Sequence, residues 1–132
     1  MKALSVEALM HRNLLTISPL DTLVNAQSLM EREGVRQLPV VDKGVLVGIL
    51  SDRDLHAHSG YLERTKVDAA MSERLTTVSP TDTAAHAARV LLEQRINALP
   101  VLEDGRLVGI VSRSDLLRLL VTLVEAQGGE GI

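Results

Sequence analysis

The sequence predicts an α+β fold made of two tandem copies of one unit, and three observations point to it. First, residues 10–55 align with residues 71–116 without a gap at a constant offset of 61, from Met10 with Met71 to Asp54-Leu55 with Asp115-Leu116. Second, each copy runs through the same pattern: a short apolar piece, a helix-like stripe, two strand-like runs and a second helix, or β-α-β-β-α. Third, 45% of the 132 residues are hydrophobic but only 1% are aromatic, so the chain can fold around a core that must be aliphatic. A unit of this size does not bury its apolar face alone. The length allows one compact domain or two small halves sharing a core, and two units stacked about a pseudo-twofold axis are expected to leave a cleft between them, where function is to be sought.

The elements follow in order. Leu14 to Ile17 is a short apolar piece closed by Ser18-Pro19. Asp21 can cap a helix from about Thr22 to Glu33, because a carboxylate accepts the free amides of a first turn. Leu23, Ala26 and Met30 form its apolar stripe, and Gly34 supplies the stop. Leu38 to Val41 reads as a strand, Asp42-Lys43-Gly44 as a turn, Val45 to Leu50 as a second strand, and Ser51 opens another helix. In the second copy Asp82 takes the capping place and Thr83 to Gln94 is helical. Leu99 to Leu102 and Leu107 to Val111 are strands around Glu103-Asp104-Gly105, and Ser112 starts a last helix to about Glu125. Asp68 is expected to cap a short helix leading into the second copy. The expected boundaries are a first repeat over 1–58, a polar linker over 59–67, a second repeat over 68–126 and a flexible tail over 127–132 containing Gly128-Gly129-Glu130-Gly131.

Composition excludes several functions. A net charge of −3 and a pI of about 5.8 argue against a general polyanion-binding surface. Without aromatic platforms there is also no stacking surface for single-stranded nucleic acid. No cysteine means no disulfide and no thiolate chemistry. The first residues break their apolar run too early for a signal peptide, and no apolar stretch approaches the roughly 20 residues of a membrane span. A cytoplasmic protein without membrane contact is the expectation. No Gly-rich phosphate loop, nucleophile elbow or metal-binding helix appears, so no catalytic residue and no metal site is assigned. His11 and His86 stand alone, and His56 and His58 are two apart where a helix face would want three or four. Solvated or simply packed rings account for all four.

Ser51-Asp52-Arg53-Asp54 and Ser112-Arg113-Ser114-Asp115 each lie where a strand ends and a helix begins. Free amides there attract an anion, a Ser hydroxyl can contact phosphate or ribose, and an Asp three residues on offers two oxygens to a ribose cis-diol. Spacing alone favours the plainer alternative, a capping box in which the acid folds back on the chain. The two roles are compatible.

The Leu-Pro-Val-Val and Leu-Pro-Val-Leu strands, the Gly turns, Val-Gly-Ile-Leu-Ser-Asp-Arg-Asp-Leu and Val-Gly-Ile-Val-Ser-Arg-Ser-Asp-Leu occur in order and twice. In this the chain resembles the CBS domain pair (the Bateman module) over nearly its whole length. The resemblance implies a stand-alone regulatory module that binds AMP, ADP, ATP or a related adenosyl compound in clefts between repeats and signals to a partner chain. It implies no required cofactor and no catalysis. It also implies sites that mix repeats: Ser51 and Asp54 with Leu75, Thr76, Ile96, Asn97 and Ala98, and Ser112 and Asp115 with Leu14, Leu15, Val35, Arg36 and Gln37. Val35 and Ile96 serve equally well as plain core filling. Arg113 follows Ser112 where the acid Asp52 follows Ser51, so the stronger phosphate site is expected at the last helix, with Arg36 lining it.

Leu116, Leu117, Leu119, Leu120, Val121, Leu123 and Val124 cover more than one face of the last helix, and Ala84, Ala85, Ala87 and Ala88 smooth the helix over 83–94. Burial inside one chain or a homodimer would account for both features, and the excess in so small a chain points to the homodimer. The rival reading of the whole chain is a structural or interaction module whose Ser and Asp residues only cap helices.

Overall fold

The structure, a computed structural model, describes residues 3–128. Its elements are α1 (Val6–Leu9), α2 (Leu23–Glu33), β1 (Gln37–Asp42), β2 (Val45–Ser51), α3 (Asp52–Ala57), α4 (Val67–Ala70), α5 (Ala84–Gln94), β3 (Ala98–Glu103), β4 (Arg106–Ser112) and α6 (Arg113–Ala126). This is the expected mixed α+β architecture in two copies. The tail expected over 127–132 lies beyond α6, and its residues 129–132 fall outside the described ones.

Two compact units form, and they do not follow chain order. One takes in Leu15–Leu75, and the other joins the residues up to Leu14 to those from Thr76 on. The linker region therefore packs on its own unit, where Thr65 and Leu62 carbonyls accept from the amides of Leu23 and Val24.

In the Leu15–Leu75 unit, β1 and β2 pair antiparallel, with Gln37 opposite Ser51 and Val40 opposite Gly48. Lys43 and Gly44 both have positive φ, as a two-residue hairpin of primed type needs. The core gathers Ile17, Leu23, Ala26, Met30, Leu38, Val40, Leu50, Leu55 and Val67. The stripe expected on α2 is thus the buried one. The other unit repeats the pattern: β3 pairs with β4, Ala98 opposite Ser112, around a core of Val6, Met10, Val78, Ala87, Leu91, Leu99, Val101 and Val111.

Three local expectations change. The first apolar piece of each copy is not a regular strand: only Ile17 bridges Val40, and only Val78 bridges Val101. The caps fall one residue later than expected. Thr22 and Thr83 accept the amides of Asn25 and His86 at 3.3 and 3.0 Å. Asp21 stands outside the helix because its carbonyl receives the Val67 amide at 2.8 Å, while its carboxylate accepts from the Thr22 amide and Asn25 Nδ2. Asp82 closes the Ser79 turn instead, accepting the Ser79 amide at 2.7 Å. Asp68 does not cap α4, which has no side-chain cap. Its first amides, on Val67 and Asp68, already donate to the carbonyls of Asp21 and Pro19 at 2.8 and 3.0 Å.

The short helices seat the segments that follow them. Beyond α4, Ser72 and Ile49 exchange both main-chain hydrogen bonds at 2.9 and 3.0 Å; beyond α1, His11 and Ile110 do the same at 2.8 and 3.0 Å. These close approaches need Gly48 and Gly109. A Cβ on Gly48 would meet Met71 Sδ at 2.5 Å and the Ser72 carbonyl at 3.0 Å. One on Gly109 would meet Met10 Sδ at 2.6 Å and the His11 carbonyl at 2.9 Å.

Candidate functional site

Each unit carries one strand-to-helix junction that brings its Ser and Asp together. Ser51 leaves β2 in extended conformation and caps α3; Ser112 does the same between β4 and α6. The capping boxes are complete. Asp54 Oδ2 accepts the Ser51 amide at 2.8 Å and its hydroxyl at 3.1 Å, while Ser51 Oγ accepts the Asp54 amide at 3.3 Å. At the second junction the same contacts measure 2.7, 2.9 and 3.2 Å. The plainer alternative is therefore realised at both, and each reciprocal box ties down two amides that a bare helix start would leave open.

The residues just before each Leu-Pro lie beside their own unit's junction. Gln37 faces Ser51 in the ladder, and the Arg36 carbonyl accepts the Asp52 amide at 2.9 Å. Val35 packs against the core, and Val35, Arg36 and Asp52 line a groove of about 460 Å³ together with Met30, Leu55 and His56. In the other unit Ala98 faces Ser112, the Asn97 carbonyl accepts the Arg113 amide at 2.9 Å, and Ile96 packs against that core. Leu15 packs against the first core, Leu14 and Thr76 are half-buried, and Leu75 is exposed.

Two features separate the junctions. The Arg113 side chain turns inward: Nε donates to the Ile96 carbonyl at 2.9 Å and Nη2 to the Leu91 carbonyl at 3.2 Å. Leu91 and Ile96 are the offset mates of Met30 and Val35, so the guanidinium occupies the counterpart of the groove that Asp52 leaves open. It ties down the end of α5 rather than standing free for a phosphate.

The second feature is the state of the carboxylates. Asp115 is 6% exposed; its Oδ1 accepts from Arg118 Nη1 at 3.1 Å and lies in ion-pair contact with His11 Nε2 at 2.5 Å. Asp54 is half-buried, and among the described residues its Oδ1 has no partner. His11, expected only as a solvated or packed ring, instead lies against Asp115, and Arg118 is not among the expected site residues. Arg118 follows Asp115 at i+3, a spacing that could have flagged it. His11 lies far away in sequence and reaches Asp115 only because its backbone pairs with Ile110.

Among the described residues no helix is long and apolar enough to cross a membrane. The CBS domain family model matches residues 6–59 and 67–122. CBS domain-containing protein YhcV of Bacillus subtilis is 36% identical over 115 residues, covering 85% of this chain and 82% of that protein. The crystal structure of AcuB from Vibrio cholerae superimposes with a TM-score of 0.86 at 32% identity, covering 99% of this chain and all of that one. CBSX2 from Arabidopsis thaliana, solved in complex with AMP, gives a TM-score of 0.83 at 30% identity over 91% of this chain and 98% of its own. With both copies matched and the fold shared end to end, the chain belongs to the CBS domain family.

Proposed function

We propose that this chain is a regulatory module that binds an adenine nucleotide or a related adenosyl compound and passes the bound state to another protein. The observation that carries this reading is the twice-built Ser–Asp junction, with Asp54 Oδ1 unpartnered among the described residues, in a chain 30% identical to a CBS pair solved with AMP. Ser51 and Asp54 hold the ribose diol in this reading, and Ser112 and Asp115 form the second, related position. Main-chain groups around Val35, Arg36 and Gln37, and around Ile96, Asn97 and Ala98, offer a flat apolar slot with polar edges suited to adenine. Leu14, Leu15, Leu75 and Thr76 complete the expected lining. A folded-state ligand at about 100 times its Kd adds roughly 2.7 kcal/mol, a rise of several degrees in Tm for a domain this size. Circular dichroism is the right readout, because Tyr61 is the only aromatic residue. An unchanged Tm with millimolar AMP, ADP, ATP and S-adenosylmethionine would contradict the reading.

The partner is in the first instance a second copy. Leu117, Leu120, Val121, Leu123 and Val124 on α6 and Leu92 on α5 are all exposed, Leu117 at 61% and Leu120 at 55%. Burial inside one chain therefore does not account for the excess of apolar residues on α6. The effector protein that reads the ligand state is a further chain.

A further inference from the structure

We propose that His11 and Arg118 stand in for a ligand's hydroxyl pair on Asp115, so that the Ser51–Asp54 junction accepts a ribose diol freely and the Ser112–Asp115 junction accepts one only when both residues are displaced. This rests on the adenosyl reading above and deepens it: it says which junction is open and what closes the other.

A carboxylate offers about four acceptor positions. On Asp115 Ser112 fills the two on Oδ2, Arg118 fills one on Oδ1, and His11 Nε2 stands in ion-pair contact over the other at 2.5 Å. On Asp54 Ser51 fills the two on Oδ2, and among the described residues nothing fills those on Oδ1. The difference follows from the sequence at two positions. The offset mate of His11 is Ser72, whose hydroxyl instead accepts the Arg74 amide at 3.3 Å. The mate of Arg118 is Ala57, which has nothing to donate.

Both substitutes sit on hydrogen-bonded backbone: His11 on its bridge to Ile110, Arg118 on the second turn of α6. Their side chains are 59% and 69% exposed, while that of Asp115 is 4% exposed, so they cover the acid from the solvent side and can swing away. A diol arriving at Asp54 replaces water. One arriving at Asp115 must replace an arginine contact that always carries charge, together with the His11 contact. A diol's bonds to a carboxylate are charge-assisted too, but they bring no positive charge, so the exchange costs the buried acid its pairing with the Arg118 guanidinium.

The test swaps the residues at these two positions between the copies. In H11S/R118A the second junction receives the residues of the first, and in A57R/S72H the first receives those of the second. Calorimetric titration with AMP should show one strong binding event in the wild-type chain. In H11S/R118A the second event should strengthen by about tenfold or more, equivalent to about 1.4 kcal/mol. In A57R/S72H the strong event should weaken. A ligand-free check is a double-mutant cycle of His11→Ser and Asp115→Asn read by Tm, in which the shifts should be non-additive. Wild-type binding with no gain in H11S/R118A would overturn the mask alone, as would additive Tm shifts. No AMP binding by any form would overturn the adenosyl reading and the mask with it.

Discussion

How the acceptor positions of one carboxylate are filled decides how the two copies differ at the residue scale. Asp115 is buried, and a buried charge persists only when paired. Ser112, His11 and Arg118 supply that pairing, whereas half-buried Asp54 leaves part of its valence to solvent. Removing the cap should therefore be costly: Ser112→Ala is expected to destabilise the chain by about 0.5–2 kcal/mol, the usual range for a lost N-cap, as urea unfolding would show. Gly109 is the second sensitive residue. An added methyl meets a backbone carbonyl at 2.9 Å, which cannot move aside as the Met10 side chain can. Gly109→Ala should cost about 1–3 kcal/mol, the range for overpacking, and should loosen the His11 segment, visible as faster amide exchange there. Much at this scale was legible in the sequence. The Ser–Asp spacing foretold both capping boxes. The sequence did not show that Thr22 and Thr83 would take the helix caps from Asp21 and Asp82, because main-chain bonds from α4 and α1 hold those acids outside the helices.

Among the elements, α2, α5, β1 to β4 and α6 fall within one or two residues of their expected bounds, because period and turn chemistry are local signals. The first strand of each copy fails for the opposite reason. Leu14 to Ile17 is apolar, but only Ile17 finds a neighbouring strand to bond. The element with most left over is α6. It runs 14 residues, and five of its large apolar side chains remain exposed. Leu120→Asp or Leu123→Asp should convert a dimer into a monomer on size exclusion with light scattering, with little loss of Tm in the separated chain, since neither residue belongs to a core. A wild-type chain that runs as a monomer at tens of micromolar would contradict the dimer. A dimer that survives both substitutions would place the contact elsewhere.

In the whole molecule, the two repeats of sequence do not become the two compact units. Val6 belongs to the core that the second copy builds, and its mate Val67 to the core of the first. The alignment of copies could not show this, since a repeat reveals which residues correspond and not which segment joins which core. The same long-range placement carries His11 to Asp115, so that the two junctions, nearly equal in sequence, differ in structure. The central claim is that the open junction binds an adenosyl ligand, and calorimetric titration of AMP into the wild-type chain and into Asp54→Ala tests it most directly. Saturable binding to the wild-type chain is expected, with a loss of about tenfold or more in Asp54→Ala, equivalent to about 1.4 kcal/mol, and with folding of the variant verified by circular dichroism. No heat of binding in the wild-type chain, or equal affinity in folded Asp54→Ala, would contradict it.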